Sequence, residues 1–238
     1  MKIALLGYGK MGKSIEKLAR LKGHEVCLRH SGRKAEAAPS SALEKADVAI
    51  EFTAPESAFD NIVMCLDHEL PVVSGSTGWL ERLPEAVDHC RKVEGAFFYA
   101  SNFSIGVNIF FALNRFLTGM MAHMEQYRAS MEEIHHVHKL DAPSGTAIRL
   151  AEELIEAHPV LTHWSSGKAE DRLGLPIYSK REGEVPGTHL VDWESEVDRI
   201  SIRHEAHSRE GFARGALRAA EWLRDKTGYF EMKDMLGF

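Results

Sequence analysis

The chain has 238 residues, 44% of them hydrophobic and 27% charged, an ordinary globular balance with room for one large domain or two small ones. Its formal charge of −6 counts against nucleic acid as a partner, because phosphate backbones need a basic face. No apolar run approaches the roughly 20 residues of a membrane span, and the opening MKIALLGYGKMG breaks into glycines too early for a secretory signal, so a cytoplasmic protein with no membrane partner is expected.

KIALLG reads as a short buried strand that opens a parallel sheet. MGKSIEKLARLKG then places Ile15, Leu18 and Leu21 at helical spacing, with Gly23 as a stop. HEVCLRH reads as a second strand and completes a βαβ unit. Further strands are predicted over 47–53, 70–75 and 96–101, alternating with helices over 55–69 and 80–91. This alternation predicts an α/β fold: a Rossmann-like, doubly wound dinucleotide-binding domain with its cofactor crevice at the carboxyl ends of the strands. Cys27, Cys65 and Cys90 are odd in number and lack metal-ligand spacing, so they read as reduced thiols.

The pattern changes after residue 104. A long apolar helix is expected over 105–124, with its Met and Phe residues used for packing. SMEEIHH follows as a strand, a helix spans 144–158, and GTHLVDW and DRISIRHEA read as strands. Strands that no longer alternate with helices predict a second, α+β domain. The last helix, FARGALRAAEWLRDK, carries Leu217, Ala220 and Trp222 near helical spacing. It is expected to return to the first domain, making that domain discontinuous.

GYGKMG sets Gly7, Gly9 and Gly12 in a G-x-G-x-x-G pattern between strand and helix. The first glycine permits the tight turn, the second admits a pyrophosphate against the backbone, and the third lets helix and strand approach. Tyr8, Lys10 and Met11 complete the loop at a helix start, whose free N–H groups favour phosphate. The second strand ends CLRHSGRK, with Arg29, His30, Ser31, Arg33 and Lys34 and no carboxylate for a ribose 2′-hydroxyl. A cationic, hydroxyl-bearing cluster suits the extra phosphate of NADP, so NADPH is favoured over NADH. EFTAPES and SGSTGW, the latter with Gly75, Ser76 and Thr77, fall at later strand ends where the nicotinamide half would lie.

HHVHK offers three readings. Metal binding lacks the helical H-x-x-x-H pair and nearby cysteines, so no metal is expected. A purely structural strand end is the second. The third is an anion-binding, proton-delivering site: Lys139 and the histidines supply cationic or hydrogen-bonding groups, and Ser144-Gly145-Thr146 begins a helix whose orphan N–H groups can hold a carboxylate. The third reading fits a small dicarboxylate.

EIHHVHKLDAPSGTA closely resembles the signature of the 4-hydroxy-tetrahydrodipicolinate reductase (dihydrodipicolinate reductase) family of lysine and diaminopimelate biosynthesis. GYGKMG, IEFTAPES, GSTGW, ASNFSIGVN and SKREGEVPGTH follow the family's order. The resemblance implies NAD(P)H-dependent reduction of a dicarboxylate heterocycle to tetrahydrodipicolinate, with loss of water. It aligns His135 with the proton donor, Lys139 with the second catalytic residue, and His136, Gly145 and Thr146 with substrate contacts. Gly7 to Gly12, Gly75 to Thr77, and Ala100, Ser101, Asn102 and Phe103 align with cofactor segments, and ASNFSIGVN would carry a hinge. The implied domains are 1–104 with 208–238 for the dinucleotide and 105–207 for substrate and oligomerisation, in a homotetramer. Lys10 stands where the family commonly has arginine. The segment 189–200 is shorter than usual and lacks the familiar Gly-Glu-His hairpin. Two rivals remain open on the residues alone: another amino- or imino-acid dehydrogenase, and a non-catalytic nucleotide sensor.

Overall fold

In the computed structural model, which describes residues 1–31 and 40–238, the first strand is Lys2–Leu6 (β1). Its side chains alternate: Ile3 and Leu5 join one apolar cluster, Ala4 and Leu6 another. Burial on both faces is what a continuous apolar run at strand period demands. There follow α1 (Lys10–Leu21), β2 (Glu25–His30), α2 (Ser40–Leu43), β3 (Val48–Glu51), α3 (Pro55–Asp67) and β4 (Val72–Ser74). The predicted helix over 80–91 divides into a 3₁₀ turn, Leu80–Arg82, and α4 (Leu83–Lys92), with Pro84 in the first turn of α4, where its missing N–H costs nothing. β5 (Ala96–Tyr99) completes this run.

The second half contains α5 (Ile105–Met121), β6 (Arg128–His135), α6 (Gly145–Ala157), β7 (His163–Ser166), β8 (Gly174–Arg181), β9 (Thr188–Glu194) and β10 (Arg199–Glu205). They build a five-stranded mixed sheet in the order β10-β9-β6-β8-β7. β6 pairs parallel with β8 and antiparallel with β9. β9 and β10 form an antiparallel hairpin, so the shortened segment after His189 does turn back on itself. One sheet face carries Met131, Ile177, Val191 and Trp193 into a core with Leu150 and Leu154 of α6 and Phe110 and Phe111 of α5. The expectation that the Met and Phe residues of this stretch serve packing holds for Phe110, Phe111 and Met121 and is corrected for the others. Val107, Phe110 and Phe111 are buried, whereas Phe116 and Met120 on other faces of the helix are 70% and 58% exposed.

The chain then returns through α7 (Glu210–Leu223), β11 (Gly228–Phe230) and α8 (Met232–Leu236). β11 adds to the first sheet, giving the all-parallel order β11-β5-β4-β3-β1-β2. Two compact units result: Met1–Ile105 with Glu210–Phe238, and Gly106–Arg209. In the first unit, Ala213, Ala216, Leu217 and Ala220 of α7 pack beside Ile3, Leu5, Val73 and Phe98. Gly215 is required there, because a Cβ would lie 1.7 Å from the Phe103 carbonyl oxygen. The opposite sheet face is covered by α3 and α4 through Ile62, Leu66 and Val87. Cys65 and Cys90 are buried and Cys27 half-buried; all three are unpaired, and burial pushes their thiols upward. Among the described residues, no helix is long and apolar enough to cross a membrane.

Candidate active site

In the first unit the strand order reverses at β1, with β2 on one side and β3 on the other. Ligands in doubly wound sheets bind at such a reversal, outside the carboxyl ends of the strands. A cavity of about 570 Å³ opens there, lined by Gly7, Tyr8, Gly9, Arg29, Ser31, Phe52, Thr53, Ala54 and Ser57. A second, of about 300 Å³, is lined by Gly9, Lys10, Met11, Phe52, Thr53, Gly75, Ser76 and Thr77. The three loop glycines do different work. Gly7 has φ +94° and a Cβ on it would sit 1.9 Å from the Phe52 carbonyl oxygen. A Cβ on Gly12 would meet the Gly7 carbonyl oxygen at 2.3 Å. A Cβ on Gly9 would meet nothing within 4 Å, so Gly9 keeps open space facing the cavity rather than relieving a clash within the protein. This is the arrangement a pyrophosphate needs, and the residues present fit a dinucleotide.

The other expected cofactor residues are placed variously. His30 accepts a hydrogen bond from Gly7 N–H through its carbonyl, 2.9 Å, and does not line either cavity. Ala100, Ser101, Asn102 and Phe103 follow β5 outside both linings; Ala100 and Phe103 are buried, and the Asn102 side chain accepts from Ser104 N–H at 2.9 Å. Arg33 and Lys34 lie outside the described residues. Arg29 is not a bare cation: Glu16 of α1 holds its guanidinium, with Nε 3.0 Å from both carboxylate oxygens. The loops of the smaller cavity are anchored by Glu51, fully buried at the end of β3. Its carboxylate accepts from Thr53 N–H at 2.8 Å and the Ser76 hydroxyl at 2.7 Å, and from the Ser74 and Thr53 hydroxyls.

In the second unit, strand alternation sorts the histidines. Met131, Glu133 and His135 share the buried face of β6 by their period of two, and Glu133 and His135 are 0% and 7% exposed. His135 Nδ1 lies 2.5 Å from Glu133 Oε2, and Arg181 Nη2 donates to Glu133 Oε1 at 2.9 Å. Burial alone would raise the Glu133 carboxyl, but the contacts from His135, Ser179, Ser144 and Arg181 outweigh it and hold the group well below its ordinary range. His189, opposite Glu133 on β9, bonds the Ser144 hydroxyl through Nε2 at 3.2 Å. Its ring stands edge-on to His135 with centroids 5.2 Å apart. Burial, reinforced by the neighbouring His135, pushes His189 down to about 3, so it is neutral at ordinary pH. Glu133, His135 and His189 are close enough to share an ion, but Arg181 and Ser144 already engage the outer two of these groups.

The rest of HHVHK faces elsewhere. His136 is half-buried and its Nε2 meets Arg209 Nη2 at 2.9 Å. His138 is exposed, 3.6 Å from Glu184. Lys139 Nζ lies 2.8 and 2.7 Å from the two Asp141 oxygens, and this lysine lowers the Asp141 carboxyl. Arg181 ties down the same turn, donating from Nε to the Lys139 carbonyl at 3.2 Å and from Nη2 to the Asp141 carbonyl at 2.5 Å. The Ala142–Pro143 peptide is cis, after which Ser144 caps α6 by accepting from Ala147 N–H at 3.2 Å. Gly145 is exposed and Thr146 half-buried at the helix start, and a Cβ on Gly145 would meet nothing within 4 Å.

Glu133, Arg181, His189 and Glu16 were not among the residues expected from sequence. The available signal for Glu133 was its place two residues before His135, hence on the same strand face. Arg181 and His189 lie in SKREGEVPGTH, where nothing local marks their direction.

Two family descriptions match the chain: dihydrodipicolinate reductase, N-terminus, over residues 1–103, and dihydrodipicolinate reductase, C-terminus, over residues 106–236. A 4-hydroxy-tetrahydrodipicolinate reductase from Christiangramia forsetii is 50% identical over 236 residues, covering 99% of this chain and 98% of the relative. The chain belongs to the dihydrodipicolinate reductase family. It is an NAD(P)H-dependent oxidoreductase of lysine and diaminopimelate biosynthesis. A relative from Chromobacterium violaceum with the same reductase name is 36% identical, over 83% of this chain and 76% of its own length. Among solved structures, dipicolinate-bound dihydrodipicolinate reductase from Paenisporosarcina sp. TG-14 shares the fold, with a TM-score of 0.78 at 22% identity over 99% of each chain. An amine dehydrogenase from Mycobacterium smegmatis is more distant, with a TM-score of 0.54 at 10% identity.

Proposed function

We infer that this enzyme reduces 4-hydroxy-tetrahydrodipicolinate to tetrahydrodipicolinate, releasing water, with NADPH preferred over NADH. Within its own geometry, one observation carries the reading. The His135 imidazole lies 2.5 Å from the buried Glu133 carboxylate, on the strand that leads through Lys139 to the open helix start at Gly145 and Thr146.

The net reaction takes up one hydride and one proton and expels one water. The reduced nicotinamide supplies the hydride when bound. His135 and Lys139 are the chain's candidate proton donors. Glu133 engages His135 through Nδ1, which leaves Nε2 as the working nitrogen. That nitrogen runs beside Gly187, where a Cβ would come within 3.0 Å, so the glycine keeps its edge clear. The substrate's carboxylates call for cations and N–H donors; His136, Lys139, Gly145 and Thr146 are the groups we assign to them. Asp141 holds the Lys139 ammonium in the meantime and must be exchanged for substrate. The Paenisporosarcina protein binds dipicolinate, a planar dicarboxylate of the same class. Arg29 and Ser31 at the cavity wall support NADPH over NADH. We further propose a cytoplasmic homotetramer, for which the β9–β10 turn, with Val197 89% exposed, supplies apolar surface.

The test couples the purified enzyme to the upstream synthase with pyruvate and aspartate semialdehyde and follows NADPH absorbance. No consumption beside an active control rejects the activity. His135→Ala and Lys139→Ala are each expected to slow turnover by about a hundredfold or more while dinucleotide binding persists. Near-normal rates in both variants would contradict the assignment. Sedimentation of the same preparation checks the tetramer.

A further inference from the structure

Glu16 is a carboxylate for which the reaction has no use, yet it is buried beside the dinucleotide cavity. It lies on α1, 6% exposed, just past the glycine loop. Three side chains converge on it. Arg29 reaches both oxygens through Nε and bonds Oε1 again through Nη2. The Tyr8 hydroxyl donates to Oε2, and Arg20 Nη2 lies 2.5 Å from Oε1. Arg29 and Tyr8 both line the cavity of about 570 Å³. The Arg29 guanidinium, followed by the Tyr8 hydroxyl, holds the Glu16 carboxyl down to about 2, so the group is an anion at any working pH.

Arg29 is the penultimate residue of β2, at the strand end where this fold meets the adenosine ribose. NADPH and NADH differ there by one phosphate. A bare guanidinium would separate them sharply, since it grips phosphate bidentately. A guanidinium already bonded through Nε and Nη2 to a fixed anion has less to offer. We propose that Glu16 determines dinucleotide specificity: it is the resident partner of Arg29, keeping the guanidinium at the cavity wall while weakening its hold on a 2′-phosphate, so that NADH remains an acceptable hydride donor beside NADPH. This rests on the dinucleotide reading of the cavity given above. A purely structural role for Glu16 would alter both affinities together; a role through Arg29 moves only the one that involves phosphate.

The experiment titrates the full-length enzyme with NADPH and NADH separately, by quenching of protein fluorescence. Glu16→Gln keeps the side-chain shape and an oxygen for Arg29 but removes the charge. It is expected to tighten NADPH about tenfold and to change NADH less than about twofold, raising the preference about tenfold. In the Arg29→Met background the same substitution is expected to leave the ratio where Arg29→Met alone puts it. A ratio that is unchanged or lower in Glu16→Gln overturns the proposal, as does a rise that persists without Arg29. Circular dichroism checks the fold. Should Glu16→Gln fail to fold, Glu16→Asp withdraws the charge by one methylene and is expected to raise the preference about threefold, by the same distance argument; no rise overturns the proposal. Wild-type enzyme that binds neither dinucleotide overturns the cavity's reading itself, which is a distinguishable result.

Discussion

Replacing Glu133 by Gln removes one charge from the interior of the second unit. The carboxylate is fully buried, with Arg181 on one oxygen and His135 on the other. The Arg181 side chain is only 20% exposed, so water restores little of what it loses. Removing one partner of such a pair costs about 3–5 kcal/mol, and the partial exposure of Arg181 argues for the lower end, about 3 kcal/mol. For a chain of this size that corresponds to a fall in Tm of about 6–12 °C, measurable by calorimetry at pH 7. Turnover is expected to drop by about a hundredfold or more, because His135 loses the group that orients its ring. The pH dependence carries a sign. A carboxyl depressed in the folded state stabilises the protein above its unfolded value near 4.5, and that stability is lost as pH falls through the lower folded value. The gap in Tm between wild type and Glu133→Gln is therefore expected to be full at pH 6–7 and to narrow progressively below about pH 4.5. A variant melting within about 2 °C of wild type at pH 7 would refute the account of Glu133 as a buried hub.

Gly9→Ala is expected to leave Tm within about 2 °C, since its Cβ meets nothing, and to weaken dinucleotide binding about tenfold or more. Gly7→Ala, which meets the Phe52 carbonyl at 1.9 Å with φ +94°, is expected to cost about 2 kcal/mol or more and to lower Tm visibly; equal melting of both variants would contradict the division of labour in the loop. His189, pushed down to about 3 by burial and by His135, is expected to show no imidazole titration by NMR between pH 5 and 8. Because its folded value lies below its ordinary 6.5, its contribution to stability is present above pH 6.5 and declines as pH falls toward 3; His189→Gln should flatten that decline.

The strands of the first sheet were legible because they are buried on both faces, so VAI, PVV and AFF stand out as apolar runs whatever the helices between them do. β8 was not. Its GLPIYSKR holds Pro176, which argues against a strand, and only Leu175 and Ile177 mark the core face. β11 and α8 are too short to show a period. At the candidate site, HHVHK announced titratable groups but not their directions. Counting by twos from Met131 assigns Glu133 and His135 to the interior, whereas the importance of Arg181 depends on β8 pairing parallel with β6 across 48 residues of sequence. Arg29 was legible as a cation at a strand end, but its pairing with Glu16 was not, because the two are 13 residues apart on different elements. The apolar length of α5 concealed that Phe116 and Met120 face outward, since hydrophobicity alone does not say which face is covered.

The return of α7 to the first unit has a consequence for how the polypeptide is made. When the opening 105 residues have left the ribosome, one face of their sheet still lacks Ala213, Ala216, Leu217 and Ala220, and the edge beside β5 has no neighbour until Gly228–Phe230 arrives. Nascent chain must therefore carry a bare apolar surface and an unsatisfied strand edge through synthesis of the entire second unit, which can close its own core first.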